Sequence, residues 1–164
     1  MRKTLALLVF LPSVAMADPG ADLERFVGSW KGTGTVTMGK DKLKIAATWD
    51  CKRAAGTAAV ECASRVTGIP GMTMEELDLF GYDPGAGAYH WFAVSNLGEA
   101  HDHVAKGKID HLEFAYAGID ASTKKPMTEK LVLDSTKDGK TIKGHTEAAI
   151  GGQCAMGIDL ELHK

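Results

Sequence analysis

The chain has 164 residues, 19 basic against 21 acidic side chains, 45% apolar content and a formal charge of −2. That length fits one domain with a real core. Its lysines are scattered rather than clustered, so no basic stripe invites a phosphate backbone and nucleic acid is not an expected partner.

The first residues read as a removable signal peptide over residues 1–17. Arg2 and Lys3 precede an apolar run from Leu5 to Leu11, Pro12 breaks it, and Ala15, Met16 and Ala17 supply the small-x-small cleavage pattern before Asp18. The run is far shorter than the roughly 20 residues that span a bilayer, and no lipobox cysteine follows it. The expectation is export to a periplasm or secretion. Without Arg2 and Lys3, 17 basic residues remain against 21 acidic, giving the mature chain a charge of −4.

After a short helix over Ala21 to Val27, with Leu23, Phe26 and Val27 on one side, the pattern turns to strands. Trp30–Met38 and Leu43–Arg53 come first. The second alternates Leu43, Ile45, Ala47, Trp49 and Cys51 against polar residues, the period of a half-buried strand. Ala58–Val66, Met74–Tyr82, Tyr89–Ser95, Glu99–Lys106, His111–Tyr116, Met127–Leu133 and Thr141–Ala149 follow, and a last strand alternates Met156, Ile158, Leu160 and Leu162 with polar positions or glycine. Turn residues separate them, Asp138 and Gly139 giving the signal of a type I′ hairpin. Eight to ten short strands joined by tight turns predict an all-β, antiparallel up-and-down barrel in residues 18–164. Closure on itself removes the exposed edges; a sandwich is the alternative.

The stretch from Phe26 to Gly34, containing Gly28, Ser29 and Trp30, resembles the Gly-x-Trp opening of calycin barrels, which include lipocalins and nitrobindin-like proteins. The middle is similar to DUF1579, a family of lipocalin-like bacterial proteins, in Phe80 to Asp83, Tyr89, the Asn96 to Gly98 turn and Gly107. The resemblance implies a barrel with a short helix capping one end and Trp30 packed at its base. Lipocalins set an arginine of the final strand against that tryptophan; here the final strand offers Lys164 and His163. Haem binding by one histidine, as in nitrobindin-like barrels, would fall to His145 or His163.

Export permits disulfides. A two-residue turn at Gly56 and Thr57 pairs residues whose numbers sum to 113, setting Cys51 opposite Cys62 as a hydrogen-bonded pair with a Cα separation of about 5.5 Å. Cys154 is left over, and a buried free thiol is its expected state.

His101 and His103 flank Asp102 on one strand and project to one face, where a third ligand from a neighbouring strand would complete a metal site. Whether His90 joins them depends on the hairpin at Asn96 to Gly98. A two-residue turn places it diagonal to His103, and a three-residue turn moves it to the opposite face.

Enzyme motifs are absent: no nucleophile elbow, Walker loop, dinucleotide fingerprint or His-Glu-x-x-His occurs. Glu75 and Glu76 point to opposite faces and read as exposed strand residues. Gly32 and Gly34 read as glycines at a barrel corner. The sequence supports a binding protein over an enzyme, with no obligatory cofactor. The expected ligand is a small, partly apolar molecule. His90, His101 and His103 are the polar candidates; Trp49, Met74, Phe92 and Phe114 are the expected apolar wall. Gly68 to Met72 is the expected mouth loop. The alternatives are a metal or haem barrel using His101 and His103, and a filled barrel acting through its outer surface as a homodimer.

Overall fold

The computed structural model describes residues 19–54 and 57–164; the signal peptide expected over residues 1–17, and Gly56 of the expected two-residue turn, lie outside them. Ten antiparallel strands form a closed barrel in which each strand pairs with its sequence neighbours and the first pairs with the last. They are β1 (Gly28–Met38), β2 (Asp41–Arg53), β3 (Val60–Ile69), β4 (Met72–Asp83), β5 (Ala88–Ser95), β6 (Ala100–Lys108), β7 (His111–Ile119), β8 (Pro126–Ser135), β9 (Thr141–Ile150) and β10 (Gln153–His163). A single α-helical turn, α1 (Pro19–Asp22), runs into a 3₁₀ turn over Leu23–Phe26. Among the described residues no helix is long and apolar enough to cross a membrane.

The alternation legible in the sequence sorts the two faces. Ile45, Ala47, Trp49 and Cys51 are buried along β2, and Leu112 and Phe114 along β7. Bulky residues occur on both faces of β5, and the sheet separates them: Tyr89 and Trp91 are buried inside, while Phe92 and Val94 lie exposed outside, opposite Leu79 and Leu77 of β4.

One end of the barrel is plugged. Leu23 and Phe26 insert there, and Phe26 stacks on Phe80 at 5.3 Å between ring centroids. Phe80 meets Trp91 at 4.7 Å, and Trp91 continues the packing to Phe114 at 5.7 Å. Trp30 sits at this base, fully buried, its indole N–H donating to the Phe26 carbonyl at 2.7 Å. Aromatic contacts of this kind hold the plug beyond simple area burial.

β1 and β10 approach unusually closely. A Cβ on Gly32 would lie 1.8 Å from the Glu161 carbonyl oxygen, and one on Gly34 2.0 Å from that of Asp159. The closing seam therefore requires glycine at both positions, a sharper reason than the corner bend expected from sequence.

Cys51 and Cys62 form the expected disulfide in the expected register. Its phase differs, because the hairpin closes with the Ala54 N–H donating to the Ala59 carbonyl, one residue farther along each strand than a two-residue turn would set. That makes 51 and 62 a non-hydrogen-bonded pair with a Cα separation of 4.0 Å, the closer of the two antiparallel spacings. At the Asp138 hairpin, Gly139 alone takes a positive φ (+64°) and its N–H donates to the Thr136 carbonyl. A type I′ turn needs positive φ at both central residues, so this one differs from the expectation. Cys154 is exposed, not buried. A bulge between Cys154 and Met156 resets the alternation of β10 and leaves the thiol outside.

Candidate functional site

Above the aromatic plug the barrel is open inside. A cavity of about 370 Å³ occupies the end formed by the β1–β2, β3–β4, β5–β6 and β9–β10 turns. Met38, Ile69, Met72 and Leu97 stand at its rim; Trp49, Met74, Leu131, Met156 and Ile158 line its wall. Ile69 and Met72 belong to the segment expected at the mouth. No lysine or arginine faces the cavity, whereas Glu76, Glu99 and Glu129 do, with Ser64, His101 and His103.

The histidines are placed by the β5–β6 hairpin. Ser95 N–H donates to the Glu99 carbonyl and Gly98 N–H to the Ser95 carbonyl, with Gly98 at φ +85°. The loop thus has three residues, Asn96 to Gly98, and needs glycine at its left-handed position. Trp91 pairs with His103 and Ala93 with His101, all pointing inward. His90 moves to the outer face, where its Nδ1 lies 3.1 Å from the Asp102 carboxylate. Phe92 moves with it. The expectation that His90 and Phe92 line the pocket is corrected by one residue of register.

His101 and His103 converge on a residue the sequence reading did not single out. Glu129 of β8 reaches across β7, and its Oε2 lies 2.9 Å from His101 Nδ1 and 2.6 Å from His103 Nε2. The three side chains are about nine-tenths buried, at 11%, 8% and 10% exposure. Burial alone would raise the Glu129 pKa; the hydrogen bond from His103, the neighbouring His101 and the second hydrogen bond hold it below its ordinary value instead. His103 Nδ1 faces the Trp91 carbonyl at 3.3 Å, and His101 stacks on Tyr116 at 4.0 Å and 14°.

A second polar group sits on the inner face of β4. Burial pushes the Glu76 carboxyl up to about 7, reinforced by Asp78, Glu129 and Glu99. Burial likewise takes Asp78 up to about 6, against hydrogen bonds from Trp91 and Ser64 and the nearby His103. Trp91 Nε1 donates to Asp78 Oδ1 at 2.8 Å, while Asp78 Oδ2, fully buried, has no hydrogen-bond partner. Glu75 points outward to Arg65, as alternation requires; Glu76 is not the exposed strand residue expected. The overlooked signal was a carboxylate on the apolar parity of its strand: Glu129 among Met127, Leu131 and Leu133, and Glu76 and Asp78 among Met74 and Phe80.

Of the expected apolar wall, Trp49 and Met74 line the cavity, and Phe114 is buried in the plug behind Trp91. His145 and His163, the residues to which haem ligation would fall, both point outward. His145 Nδ1 lies 2.7 Å from Asp159 and His163 Nδ1 lies 3.2 Å from the Thr141 hydroxyl. Neither reaches the interior.

No family model matches the chain, and no curated protein matches it in sequence. Thirteen chains of solved structures match its fold. One is the S-type phycobiliprotein lyase CPES from Guillardia theta, with a TM-score of 0.57 and 8% identity over 85% of this chain and 88% of that one. The likeness is one of fold, a lipocalin-like β-barrel.

Proposed function

We propose that the protein is an exported carrier that takes a small, partly apolar molecule into the open half of its barrel without altering it. The observation that carries this reading is the cavity itself. Its volume, about 370 Å³, lies within the range of small-molecule sites, and so does its character, an apolar wall with a few convergent polar groups. Affinity comes from burying ligand surface at roughly 25 cal/mol per Å². Methionines at the rim and wall adapt to varied apolar shapes, and His101, His103, Glu76 and Ser64 orient a polar end. An interior that is open at one end argues against the filled barrel. The disulfide and the signal-like residues 1–17 support export. The fold shared with a phycobiliprotein lyase and the DUF1579-like residues agree with a ligand-holding barrel, though neither names the ligand.

Native mass spectrometry of the protein purified from a periplasmic extract tests this. The expected result is a mass excess that disappears under denaturing conditions and is absent from Met74→Trp, which fills the cavity. A bare native mass, with no uptake of a neutral apolar fluorophore such as N-phenylnaphthylamine, would count against the carrier.

A further inference from the structure

We propose that His101, His103 and Glu129 form a three-ligand site for a divalent transition metal, with its open coordination position turned into the cavity to receive the polar head of the occupant. The second half rests on the carrier reading; the metal site does not.

The donor atoms are already gathered. One nitrogen from each imidazole and one Glu129 oxygen all lie within 4.8 Å of one another, on two strands of a closed barrel. Zinc with bonds of about 2.0–2.1 Å sets tetrahedral donors about 3.3 Å apart. The two contacts to Glu129 Oε2, 2.6 and 2.9 Å, need to widen by roughly half an ångström, which a small carboxylate rotation supplies. Two imidazoles and a carboxylate suit borderline divalent ions, and three protein ligands leave a position free for an exogenous one.

The surroundings hold the donors in place. His103 Nδ1 lies 3.3 Å from the Trp91 carbonyl. An ion bound at Nε2 takes the place of the proton shared there with Glu129, and the imidazole keeps its one N–H on Nδ1, directed at that carbonyl, which fixes the tautomer a ligand needs. His101 is pressed flat against Tyr116, and Gly118 makes room for that ring: a Cβ on Gly118 would lie 2.0 Å from the Tyr116 hydroxyl. The field has the right sign as well, since carboxylates face the cavity and no lysine or arginine does. The fully buried Asp78 Oδ2 without a partner adds an uncompensated acceptor close to His103. The other four histidines lie on the outer face beside single carboxylates or pairs of them, and among the described residues no second cluster gathers three such donors.

The test uses chelator-stripped full-length mature protein titrated with Co²⁺ and with Zn²⁺, following cobalt d–d absorption and heat of binding. Expected are one ion per chain, a four- or five-coordinate cobalt spectrum, and a loss of affinity of at least about 100-fold in His101→Ala with His103→Ala. His111→Ala and His145→Ala should leave binding unchanged. Glu129→Gln keeps the side-chain volume and should still cost about 10-fold or more, which keeps the proposal testable if the double variant misfolds. No one-to-one uptake, or uptake untouched by these changes, overturns the site and leaves a hydrogen-bonded triad. N-phenylnaphthylamine and octanohydroxamate are titrated in parallel with metal-free and Zn²⁺-loaded protein. Zinc should tighten the hydroxamate about 10-fold or more while leaving the neutral probe unaffected. Neutral-probe binding without metal uptake defeats the metal site alone. Metal uptake in a barrel that admits neither probe defeats the carrier reading alone.

Discussion

The ammonium of Lys164 lies 4.6 Å above the Trp30 ring and donates to the Arg25 carbonyl at 2.9 Å. Lys164, immediately after the final strand, thus holds the place where lipocalins set an arginine, and it ties the chain's end to the barrel base and to the turn that plugs it. Lys164→Ala should lower unfolding free energy by about 1 kcal/mol, the usual worth of such a cation–π contact with one hydrogen bond. Lys164→Arg should retain most of it. Urea denaturation of the three proteins decides; an unchanged midpoint in Lys164→Ala would show that the contact contributes nothing.

Glu76 makes stability depend on pH in a defined direction. Its folded pKa of about 7 lies above the ordinary 4.5, so the folded protein binds the extra proton between those values. Its contribution is present below pH 4.5 and is lost as pH rises through 7. Glu76→Gln should match the parent near pH 4.5 and exceed it at pH 8 by on the order of 2 kcal/mol, after discounting for partial exposure. Metal-free protein unfolded in urea at both values provides the comparison, and a pH-independent difference would refute the assignment.

The Cys51–Cys62 bridge closes a loop across 11 residues of sequence. Loop-closure entropy for that length amounts to about 3 kcal/mol. Replacing both cysteines by alanine should cost about that much, while the register, set by the flanking β2–β3 pairs, persists. Intact mass under denaturing conditions should rise by about 2 Da on reduction of the parent, whichever account of the stabilisation holds.

Gly118→Ala tests the support of His101 without touching it. The new methyl displaces the Tyr116 hydroxyl and with it the ring on which His101 stacks. Near-UV circular dichroism should change, and Zn²⁺ affinity should fall by about 10-fold, as for other outer-shell partners. Adding Tyr116→Phe removes the closest contact but leaves ring carbon Cζ at 2.6 Å from the new methyl, so the double variant should recover affinity only in part. Unaltered affinity in Gly118→Ala would mean that the stack does not position His101.

Much of the site was legible in residues 101 to 103, because alternation along a strand is a local property of an extended backbone. The partner at Glu129 was not, since the meander puts β8 two places from β6 but nothing local says how far it slides past β7, and so which of its inner-face residues meets the histidines. Glu76 was misjudged for a related reason: parity placed it opposite Glu75, and the reading stopped before asking which of the two faces was interior. Met74 and Phe80 on its own parity held the answer. His90 and Phe92 were undecidable, because the Asn96 to Gly98 segment permits two turn lengths that differ by one residue.

A range of eight to ten strands, the antiparallel meander, the pairing of Cys51 with Cys62 and the shared face of His101 and His103 were determined by sequence alone. Each follows from period-two geometry and turn chemistry within a hairpin. Tertiary structure decided the rest: the β1–β10 seam that demands Gly32 and Gly34, the outward turn of Cys154 at a bulge, the three-residue turn that expels His90, and the meeting of β6 with Glu129. These depend on how far each strand slides past its neighbour and on where the sheet closes. A slide of one residue changes the face of every side chain beyond it without altering any local preference.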